Sequence, residues 1–201
     1  MDLILVRHGG TDAGIGRCIG RTDLPLSVQG FTAMQRLAAS WDAREPRFLF
    51  CSDQRRSQQS AQVFAARFAI EPLADPRLRE MDHGAWDGHD WETIVRCDRD
   101  RHRHWVDNWV IQPAPDGESF ADVLQRTGTW LAALLGSTGE EDCVLALAHA
   151  GSIRALLCHA LGLPASRAQV LGIDEARTSR LRFRNSQFEL RHVNARDFQT
   201  D

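Results

Sequence analysis

The stretch LILVRHGG, residues 3 to 10, predicts both the class of the fold and the position of its chemistry. Leu3 to Val6 form an uninterrupted apolar run, which is typical of a strand buried on both faces in a parallel sheet. Gly9 and Gly10 favour a turn directly after that strand, because glycine adopts backbone conformations that other residues resist. Arg7 and His8 are therefore expected at the carboxyl end of a strand, where open α/β sheets bind their ligands.

Strand patterns alternate with helical patterns along the rest of the chain. Further strands are predicted at 47–51 and 143–148, and helices at 27–41, 54–68, 120–135 and 152–161. Gly136 and Gly162 are predicted helix ends. Two or three short strands are expected between 168 and 193, with a hairpin around Asn185 and Ser186. This alternation predicts an α/β fold, a three-layer α/β/α sandwich with a mostly parallel central sheet whose strand order is not readable.

The length of 201 residues, with 43% hydrophobic and 25% charged residues, predicts one well-buried domain over residues 1–201. Residues 78–109 are richer in Trp, His and Asp than their flanks and poorer in aliphatic residues, with helical character from about Asp90. We expect an insertion at about 78–115 that packs over the carboxyl edge of the sheet and covers the site.

The charge and the cysteines limit the class of protein. A net charge of −3 gives no overall basic field for nucleic acid or an anionic membrane, and no apolar run approaches the roughly 18 residues that span a bilayer. The five cysteines are widely separated and form no C-x-x-C pair, which argues against a disulfide framework or a thiolate metal site. A cytoplasmic protein is the expectation, and a homodimer is left open.

Groups suited to phosphate chemistry follow a predicted strand or begin a predicted helix in four segments: VRHGGT (6–11), CSDQRRSQQSA (51–61), LREMDHGAWDG (78–88) and LALAHAGSIR (145–154). In a parallel sheet, all four can converge at one edge. Arg7 and Arg56 offer planar guanidinium groups that match phosphate oxygens. His8 and His149 would supply a nucleophilic nitrogen and a further donor, and Glu80 is the carboxylate assigned to proton transfer.

The four segments resemble the histidine phosphatase superfamily, whose fold is phosphoglycerate-mutase-like. The family pattern is Arg-His-Gly near the N-terminus, Ser-x-x-x-Arg at a strand end, a Glu in a Leu-x-Glu loop and a second His after a late strand. All four are present in order between Leu3 and Gly162, and PLSVQG (25–30) and PDGES (115–119) resemble two further signatures.

The resemblance implies a metal-independent phosphomonoesterase whose partner is a small phosphorylated substrate and which needs no cofactor. His8 would attack phosphorus to form a phosphohistidine that water hydrolyses. The phosphate charges would be neutralised by Arg7, Arg56 and His149, and Glu80 would protonate the leaving alkoxide.

Two residues depart from the family pattern. The chain has Gly10 where the family usually has Glu, and Gly14 where it usually has Asn. Both replacements remove polar groups near the phosphate loop, so they imply weaker phosphate binding rather than lost chemistry.

Within the superfamily, residues 104–120 and 190–198 are most similar to the α-ribazole phosphatases of cobalamin biosynthesis, which implies α-ribazole 5′-phosphate as substrate. Trp105 and Trp109 lie one helical turn apart and are candidates to stack on its benzimidazole, with core packing as the alternative. Arg21 and Thr22 are candidates for the edge of the phosphate pocket, with an ordinary loop as the alternative.

Three other functions are compatible with the same residues. A phosphoglycerate mutase and a sugar-bisphosphate phosphatase share the fold, and a non-catalytic module could bind a phosphorylated partner. The presence of His8, His149 and Glu80 together argues against the module, because arginines alone would suffice to bind.

Overall fold

The computed structural model describes residues 1–13 and 16–198, which contain a six-stranded sheet. Its strands are β1 (Asp2–Arg7), β2 (Phe48–Cys51), β3 (Leu73–Ala74), β4 (Cys143–Ala148), β5 (Thr178–Arg184) and β6 (Gln187–Ala195). Their order across the sheet is β3-β2-β4-β1-β5-β6. β1 to β4 pair in parallel, whereas β5 is antiparallel to both β1 and β6. The predicted α/β class with a mostly parallel sheet is confirmed.

The helices are α1 (Val28–Ala39), α2 (Arg55–Phe68), α3 (Trp91–Cys97), α4 (Arg99–Asn108), α5 (Phe120–Ser137) and α6 (Ala150–Leu161). Short 3₁₀ helices cover Pro76–Leu78, Gly84–Trp86 and Ala165–Val170. Among the described residues, none of the helices has the length and apolar character needed to cross a membrane. All five cysteines are free.

The first strand is apolar on both sides because helices cover both faces of the sheet. Leu3 and Leu5 pack in one buried cluster with side chains of α5 and α6. Ile4 and Val6 point the other way and pack with side chains of α1 and α2. The continuous apolar run therefore places β1 in the middle layer, as predicted, and so fixes where the chain emerges at Arg7.

The predicted end of α6 and the predicted hairpin between β5 and β6 are confirmed, whereas the predicted end of α5 is wrong. Gly162 ends α6 in the left-handed conformation, with φ 63°, and Asn185 and Ser186 join β5 to β6 with φ 50° and 60°, the signature of a two-residue hairpin turn. Gly136 is not a helix end. α5 continues through it to Ser137 because the backbone leaves the helical conformation only at the next residue.

The turn after β1 uses its glycines differently from the prediction. Neither Gly9 nor Gly10 has a positive φ, so the predicted need for conformational freedom is wrong here. Instead, a Cβ on Gly9 would lie 2.5 Å from the carbonyl oxygen of Gly30 in α1. The loop and the helix approach so closely that a side chain does not fit, and this contact holds the end of β1 against α1.

The segment predicted as an insertion is partly helical from Asp90, whose side chain accepts from the backbone N–H of Thr93 and caps α3. Its aromatic residues Trp86, Trp91 and Trp105 pack on one another with ring centroids 5.6–6.0 Å apart. These residues belong to an apolar cluster that the segment shares with α5 and α6. The single-domain organisation stays a prediction.

Candidate active site

The carboxyl ends of β1, β2 and β4 lie side by side, and the predicted segments meet there. A cavity of about 350 Å³ opens at this edge, lined by Arg7, His8, Thr11, Ala13, Arg17, Ile19, Arg56, Glu80 and Glu175. A larger hollow of about 590 Å³ lies beside α4, but it is lined by none of the predicted catalytic side chains. The charged cavity is therefore the candidate site.

His8 is positioned as a neutral base whose lone pair lies on Nε2. Its side chain is buried, and Nδ1 lies 2.7 Å from the carbonyl oxygen of Gly9, so Nδ1 carries the proton and donates it. Nε2 is left unprotonated and accepts from the Nε of Arg56 at 3.2 Å. Burial, reinforced by the charges of Arg56 and Arg7, lowers the pKa of His8 to about 3. The imidazole is therefore neutral at pH 7 and can act as a nucleophile.

Arg56 is a buried cation that backbone carbonyls hold in place. Its side chain is only 1% exposed, Nη1 donates to the carbonyl oxygen of Thr22 at 2.9 Å, and Nη2 donates to that of Gly20 at 2.8 Å. None of the described carboxylates forms an ion pair with it. Burial lowers the pKa of Arg56, but a guanidinium stays charged at neutral pH. A buried cation without an ion-pair contact among the described residues favours an anionic ligand at this site.

The loop that supplies these carbonyls is held by Asp87, a residue to which the sequence motifs assign no function. Its carboxylate accepts from the backbone N–H of Gly20 and of Thr22, each at 3.1 Å, and from that of Arg21. It also accepts from the Thr22 hydroxyl at 2.7 Å. Asp87 thus positions Arg56 indirectly, by fixing the loop at residues 20–22.

His149 lies at the amino end of α6, which begins two residues earlier than predicted. Its ring centroid is 4.9 Å from that of His8, and Nε2 is 2.6 Å from the Oγ of Ser52. Nδ1 is buried without a partner among residues 1–13 and 16–198. Complete burial, with the charges of Arg56 and Arg7 nearby, holds the pKa of His149 well below its usual range. Nδ1 is therefore the ring nitrogen of His149 that has no partner within the described part of the chain. Ser52 belongs to the Ser-x-x-x-Arg pattern, although no role was predicted for it.

Glu80 enters the cavity from the predicted insertion. Its Oε1 accepts from the backbone N–H of Gly151 at 3.0 Å and from that of Met81 at 2.9 Å. Its own backbone N–H donates to Oε1 of Gln54 at 3.0 Å. The Gln54 amide donates in turn to the carbonyl oxygen of Gly20 at 2.8 Å. Hydrogen bonds of Gln54 therefore link Glu80 to the loop at residues 20–22, whose carbonyl oxygens accept from Arg56.

Replacing Gly151 with alanine tests how closely Glu80 must be placed. A Cβ on Gly151 would overlap Oε1 of Glu80, so the carboxylate has to move while α6 keeps a good helix former. We expect turnover of an alkyl phosphate to fall about 10²-fold, the usual cost of displacing a catalytic group by about 1 Å. Steady-state kinetics with an alkyl phosphate measure the loss.

Gly136→Ala is the matched control, because it makes the same change near the end of α5 where a Cβ meets nothing within 4 Å. Its turnover should stay within about twofold of wild type. Equal activity of the Gly151 and Gly136 variants would show that the position of Glu80 is not critical.

Four residues predicted at the site lie elsewhere. Arg21 is ion-paired with Glu118 at 3.2 Å, and the Thr22 hydroxyl is bound to Asp87, so neither side chain lines the cavity. Trp105 and Trp109 belong to the apolar cluster of the insertion and α5. The expected edge of the phosphate pocket and the expected stacking wall are therefore not found at the cavity. Arg21 and Thr22 have protein partners, Trp105 is buried in the apolar cluster, and Trp109 is half-buried against it.

Of the two residues that depart from the family pattern, Gly14 lies outside the described residues. Gly10 is described, and a Cβ there would lie 3.0 Å from Oε2 of Glu175. Glu175 therefore lies where a side chain at position 10 would begin, and nothing in the sequence motifs pointed to it.

No three His, Cys, Asp or Glu side chains of the described residues are grouped so that they could hold a metal ion. The cavity is instead lined by three guanidinium groups, the imidazole of His8 and two carboxylates, with the imidazole of His149 packed beside that of His8. This set can bind a dianion, attack it with a neutral nitrogen and move a proton at Glu80.

Comparison with known proteins gives one consistent family. The model of the histidine phosphatase superfamily, branch 1, matches residues 3–196. A glucosyl-3-phosphoglycerate phosphatase of Mycobacterium tuberculosis is 32% identical over 85% of this chain and 79% of its own length. A probable phosphoglycerate mutase of Proteus mirabilis is 28% identical over 92% and 86%. The crystal structure of a putative α-ribazole-5′-P phosphatase of Escherichia coli superposes with a TM-score of 0.92, at 25% identity, over 100% and 99% of the two chains.

Proposed function

Because the chain belongs to the histidine phosphatase superfamily, branch 1, we propose that it is a metal-independent phosphomonoesterase that acts through a phosphohistidine at His8. We further propose α-ribazole 5′-phosphate, an intermediate of cobalamin biosynthesis, as its substrate. The proposal rests on the protonation state of His8 and on the cations around it. A neutral imidazole whose unprotonated Nε2 accepts, among the described residues, only from Nε of Arg56, buried beside the charges of Arg7 and Arg56, is suited to attack a phosphate dianion.

The first step joins Nε2 of His8 to phosphorus and breaks the ester P–O bond. A phosphate monoester carries nearly two negative charges, which repel a nucleophile until cations offset them. Arg7 and Arg56 supply those charges, and the free nitrogen of His149 supplies a further contact. On entry, a phosphate oxygen takes over the Arg56 N–H that otherwise faces Nε2 of His8, so substrate binding itself exposes the nucleophile.

The proton for the leaving alkoxide comes from Glu80 in its carboxylic acid form. In the second step, water attacks the phosphohistidine, the N–P bond breaks, and the Glu80 carboxylate takes the water proton. The acid is thereby restored, and inorganic phosphate leaves.

The choice of substrate rests on similarity over the whole chain. The E. coli structure named for α-ribazole-5′-P superposes with a TM-score of 0.92 over 100% and 99% of the two chains. The structure of a mycobacterial glucosyl-3-phosphoglycerate phosphatase, although 30% identical, superposes with a TM-score of 0.87 over 96% and 98%. Trp105 and Trp109 lend no support, because both pack in the apolar cluster. The second candidate is glucosyl-3-phosphoglycerate, favoured by that relative's higher identity.

A panel of phosphate monoesters assayed with EDTA tests the proposal. We expect hydrolysis of p-nitrophenyl phosphate with and without chelator to agree within about twofold, because the described residues offer no metal-ligand cluster. The panel compares kcat/KM for α-ribazole 5′-phosphate, 3-phosphoglycerate, glucosyl-3-phosphoglycerate and a sugar bisphosphate, and the first should have the highest value.

Three results would contradict these expectations separately. Activity lost in EDTA and restored by a divalent cation would overturn the metal-independent mechanism. A higher kcat/KM for another ester would overturn the substrate alone. Binding of phosphate esters without turnover of any of them would identify a non-catalytic module.

A further inference from the structure

The wall of the cavity next to Arg7 carries a carboxylate that the proposed reaction does not use. Oε1 of Glu175 lies 3.6 Å from Nη2 of Arg7, and the Glu175 side chain is 44% exposed. The backbone nearby is fixed, because the N–H of Ala176 donates to the carbonyl oxygen of Arg7 at 3.1 Å. Nη1 of Arg7 donates to the carbonyl oxygen of Ile173 at 2.7 Å. The segment at 173–176 therefore presents Glu175 beside the phosphate-binding arginine.

Glu175 occupies this place because position 10 has no side chain. A Cβ on Gly10 would lie 3.0 Å from Oε2 of Glu175, closer than nine in ten such contacts in proteins. Any residue larger than glycine would therefore push the carboxylate away. The absence of a side chain at Gly10 therefore leaves the space that the carboxylate of Glu175 occupies.

Once a substrate is bound, Glu175 shares its ion-pair partner Arg7 with the phosphate. The two charges of a phosphate monoester are met by Arg7 and Arg56, which leaves Glu175 as an additional anion at the same wall. Arg17 also lines the cavity, but its guanidinium donates to the carbonyl oxygen of Gly88 at 3.3 Å and so lies toward the insertion. The wall at Glu175 is therefore locally negative.

The arginines on the outer side of Glu175 do not change this conclusion. Arg36, Arg177 and Arg196 line a separate groove between α1 and the C-terminal strands, and Glu175 is the residue that this groove shares with the cavity. Their guanidinium groups therefore do not line the space that the alcohol part of a substrate would fill.

We propose that Glu175 is a specificity-determining residue that selects against phosphate monoesters whose alcohol part carries a further anionic group. Esters of neutral or cationic alcohols are favoured, and esters bearing a carboxylate or a second phosphate are disfavoured. The inference rests on the proposed phosphatase function and narrows its class of substrate.

The test uses two esters with the same three-carbon skeleton, glycerol 3-phosphate and 3-phosphoglycerate, which differ by a carboxylate in place of a hydroxymethyl group. Wild type should prefer glycerol 3-phosphate. Glu175→Gln should shift the ratio of the two kcat/KM values about five- to thirty-fold toward 3-phosphoglycerate. This is the effect of removing one charge at about 8 Å with an effective dielectric constant of about 20 to 40.

Asp174→Asn is the matched control, because this neighbouring carboxylate binds Asn194 at 2.9 Å and does not line the cavity. It should leave the ratio within about twofold of wild type. An unchanged ratio in Glu175→Gln would overturn the inference. An equal loss on both esters would also overturn it, because Glu175 would then only position Arg7.

Dissociation constants for the same two esters, measured by calorimetry in the His8→Gln background, test Glu175 without turnover. The same five- to thirty-fold shift in their ratio is expected on adding Glu175→Gln. If wild type hydrolyses no ester but the shift in binding is present, the proposed function fails and the inference stands. If the shift is missing while hydrolysis is normal, the inference alone fails.

Discussion

Replacing His8 with glutamine is expected to lower turnover of every phosphate monoester about 10⁴-fold or more, because the chemical step loses its nucleophile. Glutamine keeps a polar side chain of similar length, so the buried position stays hydrogen-bonded. In wild type, brief incubation with ³²P-labelled substrate and an alkaline quench should leave phosphate on His8. The label should be stable to base and released by acid, as a phosphoramidate is.

His104→Gln is the control, because His104 is an exposed histidine of α4 outside the charged cavity. It should keep both activity and labelling. Label on Ser52, whose Oγ lies 2.6 Å from His149, would move the covalent step to a serine. Full activity of the His8 variant would show that no phosphohistidine is needed.

The layer structure of the fold could be predicted because it is encoded locally. Each apolar strand pattern is long enough to recognise, and the run from Leu3 to Val6 needs helices on both sides. The strand order could not be predicted, because β1 pairs with β4, whose residues are about 140 positions away, as in the pair Leu3 and Val144. The two-residue strand Leu73–Ala74 is too short to show any alternation.

The predicted residues that converge on the site share one property, a position directly after a strand or at a helix start. Arg7, His8, Arg56 and His149 have that property, and parallel pairing brings the strand ends together without further information. Glu80 comes from a loop and was placed by the family pattern. Their catalytic roles stay predictions until the variants are measured.

The positions of the residues that were predicted wrongly, or not predicted, depend on contacts between distant segments. A spacing of four puts Trp105 and Trp109 on one helix face, but it does not say whether that face meets substrate or core. Arg21 pairs with Glu118, which lies 97 positions later, and Glu175 reaches Arg7 from the far end of the chain. Contacts between such distant residues leave no local sequence pattern. The carboxylate of Glu175 at the rim of the cavity could therefore not be predicted from the sequence.

Glu80→Gln should separate substrates by their leaving groups. Glutamine has no proton to transfer at neutral pH, but its side-chain oxygen can still accept from the N–H of Gly151, so the shape of the site is kept. An alkyl phosphate, whose alkoxide needs that proton, should react about 10²- to 10⁴-fold more slowly. p-Nitrophenyl phosphate needs little protonation, so its single-turnover burst of nitrophenol should be much less affected.

The second step gives the same variant an independent readout. Water attack on the phosphohistidine also uses Glu80, now as a base, so the variant should accumulate labelled His8 after the burst with p-nitrophenyl phosphate. Asp82→Asn is the control, because that carboxylate accepts from the N–H of Gly84 at 2.8 Å and does not line the cavity. If Glu80→Gln slows both substrates equally in the first step, Glu80 shapes the pocket or orients an arginine. The proton donor would then be sought at His149, because its free nitrogen is the nearest alternative beside His8.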